Sequence, residues 1–302
     1  MKISKLLQNE SCSISFEVFP PKTDATLESV TKATAEIAKL GPSYMSVTYG
    51  AGGGTSKYTI DIARNIEHNY NVPMLAHLTC VSSSRKTVEE RIGEIKRAGI
   101  ENVLALRGDL TPELESSDRS TWDYHHAVEL VRDIKRLAPQ LCIGGACYPE
   151  VHPESVNQAD DIKHLKEKVD AGCEFLTTQM FFDNNLLYNF LYKIRGVGIN
   201  VPVIPGIMPI TNAKQVERAI TLSGSFMPQR FKSLVDRFGE NPAAMKQAGI
   251  AYATDQIIDL YANGINHVHV YSMNKPDVAE KILENLTDIL GDKYSYLEKA
   301  AI

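Results

Sequence analysis

The sequence has few cysteines, no excess of basic charge and no long apolar run, and each shortage argues against a class of function. Five cysteines occur in 302 residues, and none stands in a Cys-x-x-Cys pair. Cys12, Cys80, Cys142, Cys147 and Cys173 thus read neither as a disulfide framework nor as a structural zinc site, and no metal is expected. Free thiols in a reducing cytoplasm are the expectation. Lys and Arg number 32 against 37 Asp and Glu, a formal charge of -5, and are spread along the chain, so no nucleic-acid footprint is expected. No apolar run reaches the roughly 18 residues that a membrane span needs, and residues 1–18 lack the continuous apolar stretch of a signal peptide. The glycine-rich stretch Gly50-Ala51-Gly52-Gly53-Gly54-Thr55 is not a P-loop, since no Gly-Lys-Ser/Thr follows, and it does not open a helix as Gly-x-Gly-x-x-Gly. It reads as a loop whose backbone amides could meet a ligand. With no linker, low-complexity tract or second domain in view, residues 1–302 are expected to form a single domain.

Hydrophobic residues make up 43% of the chain, ample for a full core. They follow one repeating pattern: a short β-branched, apolar run, then polar residues, then a stretch with helical spacing. Strands are predicted over residues 13–19, 44–49, 73–80, 102–107, 142–148, 174–181, 201–207 and 267–271. Most lie about 30 residues apart, the size of one βα unit. Between them, Leu27, Val30, Ile37 and Leu40 share a helical face, and Thr87 with Glu90 resembles a capping box ahead of Val88, Ile92 and Ile95. Ile162, Leu165 and Val169 form another stripe, stopped at Gly172, and Ile250, Ile257 and Tyr261 form the last, stopped near Gly264. Alternating strands and helices imply a parallel sheet. An open doubly wound sheet would fit too, but eight repeats over this length favour a closed (β/α)8 TIM barrel. The interval 208–267 is twice the usual spacing and should hold extra helices between strands seven and eight, around 228–238 and 242–247. The polar segment 109–122 reads as a mobile loop, and a last helix is expected near 278–290.

In such barrels the active site lies at the C-terminal ends of the strands. Reading the polar residue at each end gives Glu17; Thr48 and Tyr49; His77; Arg107, Gly108 and Asp109; Tyr148 with His152 beyond; Gln179; and Tyr271 with Lys275 beyond. Strand seven offers only backbone and Pro209. Glu17 lies inside the apolar run Phe16-Glu17-Val18-Phe19, where burial would disfavour its charged form and make it a usable acid near neutral pH. An ion-paired glutamate inside the barrel is the competing reading, and the residues alone do not choose between them. His77 fits a satisfied core histidine as well as a ligand contact, and no second ligand at metal spacing accompanies it. Gly108 allows close approach to the backbone, with Arg107 and Asp109 as opposite charges beside it or as a plain surface ion pair. His125-His126 reads as a solvated pair on a helix. Asp161 and Lys168, two helical turns apart, share a face that could equally be an ordinary charged surface.

Seven blocks, in order and in register, resemble methylenetetrahydrofolate reductase. They are Phe16-Glu17-Val18-Phe19-Pro20-Pro21, Val47-Thr48-Tyr49-Gly50-Ala51, His77-Leu78-Thr79-Cys80, Leu106-Arg107-Gly108-Asp109, Tyr148-Pro149-Glu150-Val151-His152-Pro153, Lys168-Val169-Asp170-Ala171-Gly172 and Thr178-Gln179-Met180-Phe181-Phe182-Asp183. The resemblance implies a (β/α)8 barrel carrying FAD, an oxidoreductase of folate one-carbon metabolism and methionine biosynthesis. It implies reduction of 5,10-methylenetetrahydrofolate to 5-methyltetrahydrofolate, with NAD(P)H and the folate using one flavin face in turn. By the same resemblance Glu17 is the catalytic acid. Asp109 tunes the flavin and helps hold the folate. Tyr49, Ala51, His77, Arg107, Gly108, Tyr148 and His152 contact the flavin, and Asp161 and Lys168 reach its ribityl chain and phosphates. Thr48 lies near the nicotinamide, Gln179 near both folate and nicotinamide, and Lys275 near the folate.

The pattern departs at Ile210-Thr211-Asn212-Ala213, where some relatives carry an aromatic that stacks on the nicotinamide. A different electron donor, including a redox partner subunit, is thereby left open. The regulatory domain of eukaryotic relatives does not follow the barrel here, so inhibition by S-adenosylmethionine is not expected. Association into homo-oligomers is expected, as is usual for such barrels. Two other readings compete: a barrel lyase or aldolase, which would need a Schiff-base lysine or a metal cluster, and a non-catalytic barrel subunit of a redox complex.

Overall fold

The computed structural model describes residues 1–21, 23–49, 56–110, 114, 116–294 and 297. Nine parallel strands form its sheet: β1 (Ser13–Val18), β2 (Met45–Val47), β3 (Met74–Thr79), β4 (Asn102–Leu106), β5 (Cys142–Cys147), β6 (Phe175–Thr178), β7 (Val203–Ile204), β8 (Gly206–Ile207) and β9 (His267–Tyr271). Their order is β7-β6-β5-β4-β3-β2-β1-β9-β8. The two ends of that order are one chain segment: β7 pairs with β6, and β8 pairs with β9. The sheet therefore closes on itself as a TIM barrel. The seventh predicted strand is split because Pro205 has no N–H to give a ladder. Its carbonyl still accepts a bond from His269 N at 2.8 Å, which carries the closure across the break.

The helices are α1 (Ile3–Asn9), α2 (Leu27–Lys39), α3 (Ser56–Tyr70), α4 (Arg85–Arg97), α5 (Ala127–Leu137), α6 (Gln158–Asp170), α7 (Asn184–Gly196), α8 (Lys214–Ser223), α9 (Gln229–Phe238), α10 (Pro242–Ala262), α11 (Pro276–Glu284) and α12 (Thr287–Leu290). Extra helices do fill the interval before β9, but they are α8 and α9. The stretch expected at 242–247 is the first part of α10, whose N-cap Asn241 accepts bonds from Ala243 N and Ala244 N. The last helix breaks in two after Glu284. Helix α4 begins earlier than its expected capping box, since Ser84 is the N-cap and accepts from Thr87 N. Leu27, expected on an inner face, is exposed in the first turn of α2. His125 and His126 precede α5 instead of lying on it, and the Glu129 carboxylate accepts bonds from both their backbone N–H groups.

Alternation along the strands divides the core. Outward residues such as Ile14, Phe16, Val18, Met45 and Val47 pack against the helices. Inward apolar residues Tyr44, Leu75, Leu104, Phe175 and Ile204 form a second cluster at the N-terminal end of the barrel. Helix α1, which the apolar periodicity did not announce, closes that end by burying Ile3, Leu6 and Leu7 in the same cluster. Asn102 ties it down, its Oδ1 accepting from Ile3 N at 2.8 Å. The opposite, C-terminal end is left to the polar residues. Among the described residues no helix is long and apolar enough to cross a membrane, and all five cysteines are free thiols.

Candidate active site

Glu17 is the inward residue near the C-terminal end of β1, only 7% exposed. Its ladder partners are Ser46 on β2 and Tyr271 on β9. Opposite it stands His77 of β3, with Nε2 at 3.6 Å from Glu17 Oε2. That separation is too long for a hydrogen bond, and His77 Nε2 is buried without a partner. Neither charge is offset, so burial decides both protonation states. It pushes the Glu17 carboxyl up to about 8 and the His77 imidazole down to about 3. Between those values the two groups face each other neutral, a carboxylic acid and a free base. Phe16, the neighbour of Glu17, points outward to the helices, so the burial of Glu17 is supplied by other strands. Tyr271 and Tyr44 face Glu17, and burial raises both hydroxyls above the ordinary tyrosine value.

A second group lies along the mouth over β4 and β5. Arg107 forks onto Glu154, donating to its two carboxylate oxygens at 2.7 Å each. The bond raises Arg107 and holds Glu154 below the usual carboxylate range. Arg107 and Asp109 are therefore not paired with each other, and Asp109 is exposed at the rim. Tyr148 and His152 meet edge to face, ring centroids 4.6 Å apart. His152 is lowered by burial and then by Arg107. Asp161 accepts from His152 N at 3.1 Å and from Ser155 Oγ at 3.3 Å. Lys168, from the same helix α6, donates to the carbonyl of Ala146 instead of to Asp161. Gly108 has φ +98, and a Cβ there would come within 2.7 Å of Val81 Cγ1. The close approach that requires glycine is thus made by the end of β3.

The remaining predicted residues sit apart. Gln179 follows β6, its N–H bonded to Cys147 O at 2.8 Å and its side-chain oxygen accepting from Met180 N at 2.9 Å. Thr48 continues β2, donating from N to Val18 O at 3.1 Å. Tyr49 packs against the core shared by sheet and helices. Lys275 donates to Thr211 Oγ1 at 2.7 Å, and burial lowers its amine. Ala51 lies outside the described residues, as does the rest of its glycine-rich loop; so do 111–113 and 115 of the segment expected to be mobile.

Two features escaped the sequence reading. One is Glu154 as the partner of Arg107, which no local spacing announces. The other is a buried polar seam beneath Glu17. Ser13 bonds His267 Nδ1 at 2.8 Å, and His269 lies between Ser15 and Ser46. Its trace in the sequence is the period-two pair of patterns Ser13-x-Ser15-x-Glu17 and His267-x-His269-x-Tyr271.

The sequence profile of the family described as methylenetetrahydrofolate reductase matches residues 2–287. Methylenetetrahydrofolate reductase (NADH) 1 of Arabidopsis thaliana is 33% identical over 97% of this chain and 51% of its own length. The 5,10-methylenetetrahydrofolate reductase of Pectobacterium carotovorum is 32% identical over 91% of this chain and 90% of its own. The chain thus spans about half the length of the plant relatives it matches. Among solved structures, a Clostridium thermocellum protein described as binding two copies of 5-methyl-5,6,7,8-tetrahydrofolic acid superposes with a TM-score of 0.67 at 15% identity, covering 96% of this chain and 99% of that one. That likeness is one of fold. The profile match over nearly the whole length, together with the bacterial likeness, assigns the chain to the methylenetetrahydrofolate reductase family.

Proposed function

We propose that the chain acts as a single barrel domain reducing 5,10-methylenetetrahydrofolate to 5-methyltetrahydrofolate, with FAD as cofactor and NAD(P)H as donor in a ping-pong cycle. The observation that carries the reading is Glu17: a carboxyl that burial pushes up to about 8, at the C-terminal end of the strands of a barrel of this family and 3.6 Å from His77. The free thiols suit a reducing cytoplasm.

The residues at the mouth fit a flavin dinucleotide. His77 Nε2 is a buried polar atom without a protein partner, and such atoms ordinarily find one. Beyond it the Tyr148–His152 edge pair, Arg107 and Lys168 offer aromatic surface and positive charge suited to a ring system and its phosphates. His77, Arg107, Gly108, Asp109, Tyr148 and His152 would hold the ring portion, with Tyr49 and Ala51 beside them, and Asp161 and Lys168 the ribityl chain and phosphates. Bound FAD would supply two-electron transfer between the nicotinamide and the folate.

The chain's own work is to place protons and charge. Glu17 gives its carboxyl proton to N10 of the folate, whose bond to the bridging methylene breaks with its electron pair left on N10, and the methylene stays on N5 as a cationic iminium able to accept a hydride. Asp109, negative at the rim, favours that cation. Gln179 and Lys275 orient the folate, and Thr48 and Gln179 the nicotinamide.

The test is an absorbance spectrum of the purified protein. Bound flavin that is bleached by NADH and re-oxidised by methylenetetrahydrofolate supports the reading. A protein without flavin and without affinity for it overturns the reading.

A further inference from the structure

The C-terminal end of β1 needs partners that the backbone of β9 does not supply. β1 ends at Val18, one residue after Glu17, and its ladder with β9 stops at the pair Glu17–Tyr271. Phe19 follows, and then Pro20 and Pro21, which have no N–H. The Phe19 N–H is thus the last donor of this edge, and a backbone group left unpaired there would be costly. A residue before proline is also kept extended, so the line of the strand runs on through Phe19, past the end of the ladder.

A side chain meets that need. Asn274 Oδ1 accepts from Phe19 N at 2.8 Å, and Asn274 Nδ2 donates to Phe19 O at 2.9 Å. A backbone N–H only donates and a carbonyl only accepts, so the carboxamide lies one way round. It offers Phe19 the donor and the acceptor that a further peptide group of β9 would have offered. Ser272 joins the ladder to this clamp: its N–H donates to Glu17 O at 3.3 Å, and its hydroxyl donates to the same oxygen at 2.6 Å. The main chain meanwhile turns away. Met273 and Asn274 are both left-handed, with φ +54 and +53, and Lys275 N comes back to Ser272 O at 3.0 Å. Asparagine tolerates that conformation, whereas methionine seldom adopts it. Met273 is kept there by packing against the cluster that holds Phe182, Met208 and Ile210.

We propose that Asn274 is a positioning residue, which extends β9 with its side chain, locks the backbone from Glu17 to Phe19 and so holds the Glu17 carboxyl at one place in the barrel mouth. The inference rests on Glu17 being the proton donor of the proposed reaction. A proton donor must come within hydrogen-bond reach of the atom it protonates, and a misplacement of about 1 Å can cost roughly 10²-fold in rate. Arg107, Tyr148, His152 and Lys168, proposed to hold the flavin, follow β4 and β5 or lie on α6, away from the clamp. The donor half-reaction should therefore not feel it.

The test replaces Asn274 in the flavin-loaded protein. Asn274→Gly keeps a left-handed backbone and removes only the carboxamide. Hydrogen exchange should find the Phe19 N–H protected in the wild type and roughly 3–10-fold faster in the variant, the worth of one hydrogen bond. Stopped-flow measurement should find flavin affinity and reduction by NADH unchanged. The maximal rate of the folate half-reaction should fall by roughly 10–10²-fold, with the half-saturating folate concentration little changed. A lost folate contact would raise that concentration instead, and a generally loosened barrel would slow both half-reactions. An unprotected Phe19 N–H in the wild type, a folate half-reaction unchanged in Asn274→Gly, or an equal loss in both half-reactions overturns the proposal. If Asn274→Gly does not fold, Asn274→Asp is read in its place by the same kinetic split, since it sets a carboxylate oxygen against Phe19 O. A wild type unable to reduce folate rejects the proposed activity instead, and the exchange measurement alone then supports or overturns the grip on β1.

Discussion

Gly206 has no side chain where the hydroxyl of Tyr271 crosses the barrel. That hydroxyl donates to Thr178 O at 2.6 Å, and a Cβ on Gly206 would collide with it. The N–H of Gly206 in turn donates to Thr178 Oγ1 at 2.8 Å. Tyr271 is the ladder partner of Glu17, and Thr178 precedes Gln179, so one bare position on β8 lets a single ring brace two sides of the mouth.

Gly206→Ala should therefore destabilise the fold by about 1–3 kcal/mol through overpacking. Adding Tyr271→Phe should recover only part of the loss, because the Thr178 carbonyl also crowds the new Cβ. Urea unfolding of the two variants checks this, and an unperturbed Gly206→Ala protein would contradict it.

Glu17→Gln should keep reduction of the flavin by NADH and lose folate reduction by about 10²–10⁴-fold, the usual worth of a positioned acid. Stopped-flow measurement of each half-reaction separates the two. Survival of both would remove Glu17 from the mechanism.

Stability should fall on both sides of neutrality. The Glu17 carboxyl is raised from 4.5 to about 8 in the folded chain. Between those values the unfolded chain sheds a proton that the folded chain keeps, so stability drops as pH rises, by about 1.4 kcal/mol per unit at most. His77 and His269 are lowered from 6.5 to about 3. There the unfolded chain takes up protons first, and stability drops as pH falls below 6.5. Glu17→Gln should flatten the alkaline slope and, because the Glu17 effect begins at its unfolded value, steepen the acid slope between about pH 4.5 and 6.5, in urea midpoints measured from about pH 4 to 9. An unchanged alkaline slope would mean that Glu17 is ionised in the native protein.

Leu6→Ala should cost about 2–5 kcal/mol, because it empties part of the plug that α1 puts into the barrel floor. The mouth is at the other end, so flavin affinity should change little. Thermal unfolding and a flavin titration together check that separation.

Much of this molecule was readable from local pattern. Apolar runs at the spacing of βα units located each strand to within a few residues, and Gly172 and Gly264 marked helix ends because both hold positive φ. Glu17 stood out because a carboxylate in an apolar strand conflicts with its surroundings. Local pattern failed where the deciding partner is distant in the chain. Helix α1 has too few turns to show a clear period and is stabilised by Leu75, Leu104 and Phe175 from three strands. The split at Pro205 was visible as a residue, but its closure bond needs His269.

What the sequence alone determined was the alternation of strand and helix, hence a parallel sheet whose eight repeats favoured a barrel, and which polar residues end each strand, because these follow from periodicity and backbone chemistry. What only the tertiary structure decided was burial and pairing: that Glu17 faces His77 beyond hydrogen-bond distance, that Arg107 takes Glu154, and that His269 bridges Ser15 and Ser46. Those outcomes depend on how far water is excluded and on which donor meets which acceptor, and both are set by side chains distant in the chain, 47 residues apart for Arg107 and Glu154 and 223 for Ser46 and His269.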